Sequence, residues 1–231
     1  MIQLNDVSYS YKDNSVVRQI SMHIGTSEVV GIVGESGSGK TTLSKLILGL
    51  LQPQGGTVRS QTRNILPVFQ HASQSFNPET SLQTSFEEAI KYHAKGHREE
   101  TWERLDELMS IMNLSHDLFS KRPDQVSGGQ LQRLNIIRSM VFIPDLLICD
   151  EITAHLDVVA EQRIVRLIQS YFKQFHKSII LISHDLAFLQ QLVDRFIVMK
   201  EGVIVDHFRR EELFNEDRHE YTKELISVYD Y

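Results

Sequence analysis

Gly34-Glu35-Ser36-Gly37-Ser38-Gly39-Lys40-Thr41 decides the fold. The stretch fits G-x-x-x-x-G-K-[ST], the phosphate-binding loop of nucleotide hydrolases. Before it, Val29-Val30-Gly31-Ile32-Val33 reads as a buried strand, and after it the apolar-rich segment Leu43 to Leu50 reads as a helix. A strand, a glycine loop and a helix N-terminus together make an anion site. The glycines let backbone N–H groups face phosphate, and the helix dipole favours negative charge. In this arrangement Lys40 reaches the β and γ phosphates and Thr41 holds Mg²⁺. The expected nucleotide-binding residues are therefore Gly34, Glu35, Ser36, Gly37, Ser38, Gly39, Lys40, Thr41 and Thr42.

At 231 residues the chain can build one large domain with a real core. The formal net charge of −6 argues against a nucleic-acid partner, because neutralising phosphates needs a basic face. The single cysteine, Cys149, sits in an apolar run; it can form no internal disulfide and reads as a small buried hydrophobe. No run reaches the ~18 consecutive apolar residues of a spanning helix. The N-terminal residues Met1 to Asp6 lack the basic and apolar blocks of a signal peptide. The expectation is a cytoplasmic protein whose membrane role, if any, comes through a partner.

Outward from the loop, Ile2 to Tyr11, Val16 to Ile24 and Val29 to Val33 read as strands separated by turns at Asp13-Asn14 and Gly25. Pro53-Gln54-Gly55-Gly56 reads as a turn, followed by short strands at Thr57 to Arg59 and Ile65 to Phe69. Between 79 and 140 apolar residues recur at helical spacing, with a break near Gly96. Beyond Asp145, buried strands at Leu146 to Cys149 and Ser178 to Ile182 alternate with helices at Val159 to Phe175 and Leu186 to Val193. A hairpin is expected around Glu201-Gly202. This order predicts an α/β layered core.

Further features narrow the chemistry. Leu146 to Asp150 is an apolar strand ending in the acids Asp150 and Glu151. The first suits Mg²⁺ and the second suits polarising an attacking water. Leu181-Ile182-Ser183-His184 is a second strand, with a histidine placed to sense a γ-phosphate. Val126-Ser127-Gly128-Gly129-Gln130 is a second glycine-rich loop before a helix, Leu131 to Met140. Two such loops on one chain suit two chains arranged head to tail.

Over essentially its whole length this sequence resembles the ATP-binding subunits of ABC transporters. Ser127, Gly128, Gly129 and Gln130 match the family's signature loop, with Val126 where leucine is usual. Gln70 matches the Q-loop glutamine, Asp157 the D-loop aspartate, and Tyr11 the aromatic that stacks on adenine. The resemblance implies a P-loop NTPase (RecA-like) core with an N-terminal antiparallel β subdomain and an inserted α-helical subdomain. One domain spans 1–231, with the core at 1–78 and 140–231 and the helical subdomain at 79–139. It implies ATP and Mg²⁺, the latter held by Thr41, Gln70 and Asp150. Catalysis is expected from Glu151 as general base, His184 on the transferring phosphate and Gln70 as sensor. Two ATPase subunits sandwich two ATP molecules, the signature loop of each closing over the other's nucleotide. The expected partners are two transmembrane permease subunits, a second ATPase subunit and, indirectly, an extracellular solute-binding protein, with the chain peripheral at the cytoplasmic face of the membrane.

Gln70-His71-Ala72-Ser73-Gln74-Ser75-Phe76-Asn77-Pro78 resembles the Q-loop of importers for oligopeptides, dipeptides and nickel, with Phe76 replacing leucine. The tail His219-Glu220-Tyr221-Thr222 resembles the His-Pro-Tyr-Thr of that branch, and its short continuation resembles the smaller ATPase of nickel-type systems. Peptides, nickel and metal chelates remain alternative solutes. A soluble ABC ATPase acting on DNA or ribosomes is the rival class; the acidic balance and the single signature argue against it. Ser75 to Pro78 argues against an exporter. His93 and His97 would share a face of one helix, but their charged neighbours point to a solvated helix end. Departures from the family pattern are Ile152 after Glu151, Ala154-His155 before Leu156-Asp157, and Ile137 to Met140.

Overall fold

The computed structural model describes residues 1–94, 96–154 and 156–228. His155 lies outside the described residues. Two compact units emerge: Met1–Pro67 with Asp145–Glu151 and His176–Tyr231, and Val68–Pro144 with Ile152–Phe175.

In the first unit, β1 (Ile2–Tyr11), β2 (Asn14–Ile24) and β4 (Gly55–Ser60) form an antiparallel sheet in the order β2-β1-β4. A six-stranded sheet runs β5-β6-β7-β3-β8-β9, with β3 at Val29–Val33, β5 at Ile65–Val68, β6 at Leu146–Asp150 and β7 at Ser178–Ile182. The remaining strands are β8 (Arg195–Lys200) and β9 (Val203–Arg209). Strands β6, β7, β3 and β8 are parallel, while β9 returns antiparallel to β8. β3, β6 and β7 are buried at every residue, which is why they read as continuous apolar runs rather than alternating ones.

Helix α1 (Lys40–Ile47) covers one face of β3, its Leu43, Leu46 and Ile47 sharing a core with Val30, Ile32, Ile148, Ile180 and Ile197. The antiparallel sheet supplies Leu4, Val17 and Ile20 to the same core. On the other face, a Cβ built on Gly31 would meet Val193 at 3.0 Å and Leu189 at 3.5 Å. The glycine thus admits α6 (Leu186–Gln190), and helices flank both faces of the sheet.

The second unit is mainly helical: α2 (Leu82–His93), α3 (Arg98–Ile111), α4 (Gly128–Met140) and α5 (Val158–Phe175). Phe76, Leu82, Phe86, Leu105, Met109, Leu134 and Ile137 are among its buried residues. Phe86 packs edge-on against Phe119 at 5.3 Å. Ser81 caps α2 through Thr84 N–H. Helix α7 (Glu220–Ser227) closes the chain and belongs to the first unit. Among the described residues no helix is long and apolar enough to cross a membrane.

Local departures from the sequence reading have clear causes. Gly55 and Gly56 belong to strand β4 rather than to the preceding turn. Gly56 has φ +75, and a Cβ there would fall on the backbone of Asn5 and Asp6. The β1–β4 register shifts between Asn5 and Ser8, so the glycine serves a bulge. In keeping with the expected break near Gly96, His93 ends α2 and His97 precedes α3, so they share no helix. His93 instead lies between the rings of Tyr92 and Phe142, at 4.8 and 4.9 Å. Helix α6 ends at Gln190, short of the expected Val193.

Candidate functional site

The loop Gly34–Gly39 leaves the end of β3 and enters α1 at Lys40. Gly39 takes φ +101, and a Cβ there would sit 2.6 Å from Val16 O. Only glycine accommodates both the dihedral and the neighbour. No side chain caps the N-terminus of α1, so its first N–H groups point into the loop as anion donors. Glu35, Ser36, Gly37 and Thr41 are exposed, whereas Ser38, Lys40 and Thr42 are buried. The Lys40 ammonium, 7 % exposed, donates to Gly34 O at 2.7 Å and Glu35 O at 2.8 Å. Burial lowers its pKa, while the carboxylates of Glu151, Asp150 and Glu35 work the other way. The lysine is thus held in the loop it serves, beside two acids.

Asp150 closes β6 and is only 4 % exposed. Burial pushes its carboxyl above the ordinary range; the Thr41 hydroxyl, donating to it, opposes that push, and the Glu151 charge adds to it. Its Oδ1 is buried with no hydrogen-bond partner among the described residues. An orphaned buried carboxylate oxygen next to a threonine hydroxyl is the donor chemistry of a hard cation. Glu151 follows with φ +50, an uncommon conformation for a residue with a side chain, and its N–H is tied to Ile182 O at 2.9 Å. Its carboxylate meets His184 Nδ1 at 2.9 Å, with side chains 14 % and 67 % exposed respectively. His184 leaves the end of β7, the strand that pairs with β6. The adjacent parallel strands thus bring Lys40, Thr41, Asp150, Glu151 and His184 together at the carboxyl end of the sheet, where ligands of open α/β sheets bind. Tyr11 ends β1 with its ring 43 % exposed and edge-on to Tyr9 at 5.0 Å.

Gln70, Ser127 to Gln130 and Asp157 belong to the second unit. Ser127 caps α4 in a reciprocal box: its hydroxyl accepts from Gln130 N–H and the Gln130 side chain accepts from Ser127 N–H. Ser127 and Gly128 are exposed, and none of the described residues lies within 4 Å of a Cβ built on Gly128. Asp157 caps the start of α5, accepting from Ala160 N–H at 2.7 Å. Gln70 is exposed just after β5. The loop around it is tied to α4 by Asn135, which donates to Phe69 O at 3.2 Å, and by the Arg138 guanidinium, 4.3 Å from the Phe76 ring centre. The same helix reaches the segment after the acids through Gln132, which donates to Ile152 O at 3.3 Å. Sequence spacing pointed to neither Asn135 nor Arg138, because their partners are a loop carbonyl and a ring more than sixty residues away.

Residues 17–154 match the ABC transporter family. The chain is 46 % identical, over the whole length of both proteins, to the nickel import system ATP-binding protein NikE of Staphylococcus aureus strain MSSA476. Among solved structures it resembles cbiO1 of Clostridium perfringens, part of the ABC transporter complex cbiONQ. That match has a TM-score of 0.77 and 26 % identity, covering 98 % of this chain and 93 % of that one. The ATP-binding subunit of another ABC transporter shares the fold at a TM-score of 0.84 and 22 % identity, covering 99 % and 98 %.

Proposed function

We propose, from the premise that the chain belongs to the ABC transporter family as one of its ATP-hydrolysing subunits, that it energises nickel import. The observation that carries the solute is the 46 % identity to NikE along both chains end to end. The Ser75 to Pro78 segment supports the same branch, in which peptides and metal chelates are the neighbouring solutes.

ATP places its phosphates against the amides of Gly34 to Gly39 and the N-terminus of α1, with Lys40 on the β and γ phosphates and Thr41 and Thr42 beside them. Tyr11 stacks on the adenine. The donor set fits Mg²⁺, because Asp150 offers a buried oxygen with no partner among the described residues and Thr41 an adjoining hydroxyl; the family resemblance adds Gln70 as a third residue for the cation. Bound there, the cation would supply positive charge that offsets the charge of the phosphates. Glu151 orients the attacking water and draws its proton as the bond from the γ phosphorus to the bridging oxygen breaks, giving ADP and phosphate. His184, held by Glu151, contacts the transferring group.

Ser127, Gly128, Gly129 and Gln130 close over the nucleotide of a second ATPase subunit, with Asp157 at the same interface. ATP favours the closed pair by its differential affinity for it, and hydrolysis removes those bridging contacts. The helical insert over 79–139 receives a coupling helix from a membrane-embedded permease, and the two permeases of the complex place the chain at the cytoplasmic face of the membrane. An extracellular binding protein supplies solute to them.

Uptake of radioactive nickel tests the reading in cells whose own copy is deleted. Re-expression of this chain restores uptake, whereas Lys40→Ala and Glu151→Gln do not, and Glu151→Gln still binds ATP. Restored uptake of a labelled tripeptide with nickel uptake unchanged would refute nickel as the solute and leave the ATPase intact.

A further inference from the structure

The phenolic oxygen of Tyr221 accepts a hydrogen bond from Glu35 N–H at 2.9 Å, across 186 residues of sequence. That N–H belongs to the peptide joining Gly34 to Glu35, and the carbonyl of the same peptide, Gly34 O, accepts from the Lys40 ammonium at 2.7 Å. One peptide plane is therefore held from both sides, by a phenol on its N–H and by the loop lysine on its C=O. The carbonyl of Glu35 then accepts from Lys40 at 2.8 Å and from Ser38 N–H at 3.2 Å. Glycine at 34 leaves this plane inexpensive to rotate. Rotation would turn the carbonyl away from Lys40 and reshape the row of amides behind it.

The tail that presents Tyr221 is fastened independently of the loop. Asp206 on β9 accepts from His219 N–H and from the Thr222 hydroxyl, both at 2.9 Å, and pairs with Arg218 at 3.4 Å. Arg218 also stacks on Phe208, with 4.5 Å to the ring centre. His219 Nδ1 caps α7 by accepting from Tyr221 N–H. The Lys200 ammonium lies 4.4 Å from the Tyr221 ring centre. Tyr221 is 6 % exposed and Thr222 1 %, so the phenol is delivered from a fixed support.

The geometry points to Tyr221 as a positioning residue for nucleotide binding: the C-terminal tail clamps the Gly34–Glu35 peptide in the orientation that holds Lys40 and the loop amides ready for phosphate. The inference rests on the reading of Gly34 to Thr41 as the nucleotide loop. A preformed loop loses less conformational freedom on binding, so the clamp acts on affinity rather than on the chemical step. Tyr221→Phe removes only the hydroxyl and keeps the ring over Lys200. Thr222→Val loosens the fastening at Asp206 without touching the loop.

Fluorescent ATP is titrated into the full chain with Mg²⁺, and ATP turnover is measured in the assembled transporter. Tyr221→Phe is expected to raise the dissociation constant about 3- to 10-fold, the worth of one hydrogen bond. It raises KM for ATP similarly and leaves kcat within about two-fold, since the phenol touches no reacting atom. Thr222→Val moves affinity in the same direction, and the melting temperature of nucleotide-free Tyr221→Phe stays within about 2 °C of the parent. Unchanged or tighter binding in Tyr221→Phe, or a fall in kcat with KM unchanged, overturns the clamp alone. Failure of the parent chain to bind ATP overturns the loop reading and the clamp with it.

Discussion

Asp150→Asn is expected to make the nucleotide-free protein more stable while abolishing its stabilisation by ATP and Mg²⁺. The residue is 4 % exposed and its Oδ1 has no partner among the described residues. Burial, seconded by the Glu151 charge, pushes its pKa up, against the pull of the Thr41 hydroxyl and Lys40. A folded-state pKa above the unfolded one means that ionisation costs folding. The cost is fully present above the folded pKa and disappears below the unfolded value of about 3.9. A buried acceptor without a partner costs about 1–3 kcal/mol. Asparagine keeps an oxygen for the Thr41 hydroxyl and removes the charge. It leaves an amide N–H₂ in the orphan's place and deprives Lys40 of a counter-charge, so the expected gain is the lower end, about 1 kcal/mol. For a chain of this length that is a rise of about 2–4 °C in melting temperature. At a hundred times its dissociation constant a ligand adds about 2.7 kcal/mol, and most of that increment should vanish in the variant. Thermal melts at pH 7.5 and pH 5, with and without Mg–ATP, measure both effects. A lower apo melting temperature, or an Mg²⁺-dependent ATP shift equal to the parent's, would refute the assignment of Asp150 as a cation-facing acid held at a cost.

Glu28 gives the opposite pH dependence: burial pushes its carboxyl up, but Arg195 and the Gly25 N–H outweigh it and hold the pKa below its ordinary 4.5. That stability is present above about pH 4.5 and lost as pH falls through the folded pKa, so urea titrations of Glu28→Gln should show weaker stability at pH 7 and a flatter acid limb. Gly56→Ala forces a side chain onto the Asn5–Asp6 backbone at φ +75 and should cost about 3 kcal/mol in denaturant unfolding. Phe76→Leu removes the ring beneath Arg138 and should lower the unfolding free energy by about 1–2 kcal/mol.

The buried strands were legible because burial on both faces writes itself as an unbroken apolar run, as in Ile179 to Ile182. The phosphate loop was legible because its dihedrals demand glycine at fixed spacing. Gly55 and Gly56 misled for the same reason: a glycine required by a bulge looks, in one dimension, like a glycine required by a turn. The break near Gly96 was legible because a glycine interrupts the helical spacing there: α2 ends at His93 and His97 precedes α3, so the i, i+4 rule does not join the two histidines. The acid pair and His184 could be named from their places at strand ends. Their 2.9 Å contact follows from β6 lying beside β7, which only the pairing reveals. Tyr221 stood out as a branch marker, but nothing local to residue 221 encodes an amide at residue 35.

The three ties of α4, to Phe69, Phe76 and Ile152, have a mechanical consequence. A loop pinned to a helix at both ends of its length has little slack of its own. A push on the Gln70 segment is therefore spent on moving the helix rather than on bending the loop, and Ser127 rides at that helix's leading end. In engineering terms the segment is a stiff lever instead of a spring. A stiff lever passes displacement on with little loss, so softening the tie at Phe69 or at Phe76 should lower the share of a push on that segment that reaches Ser127.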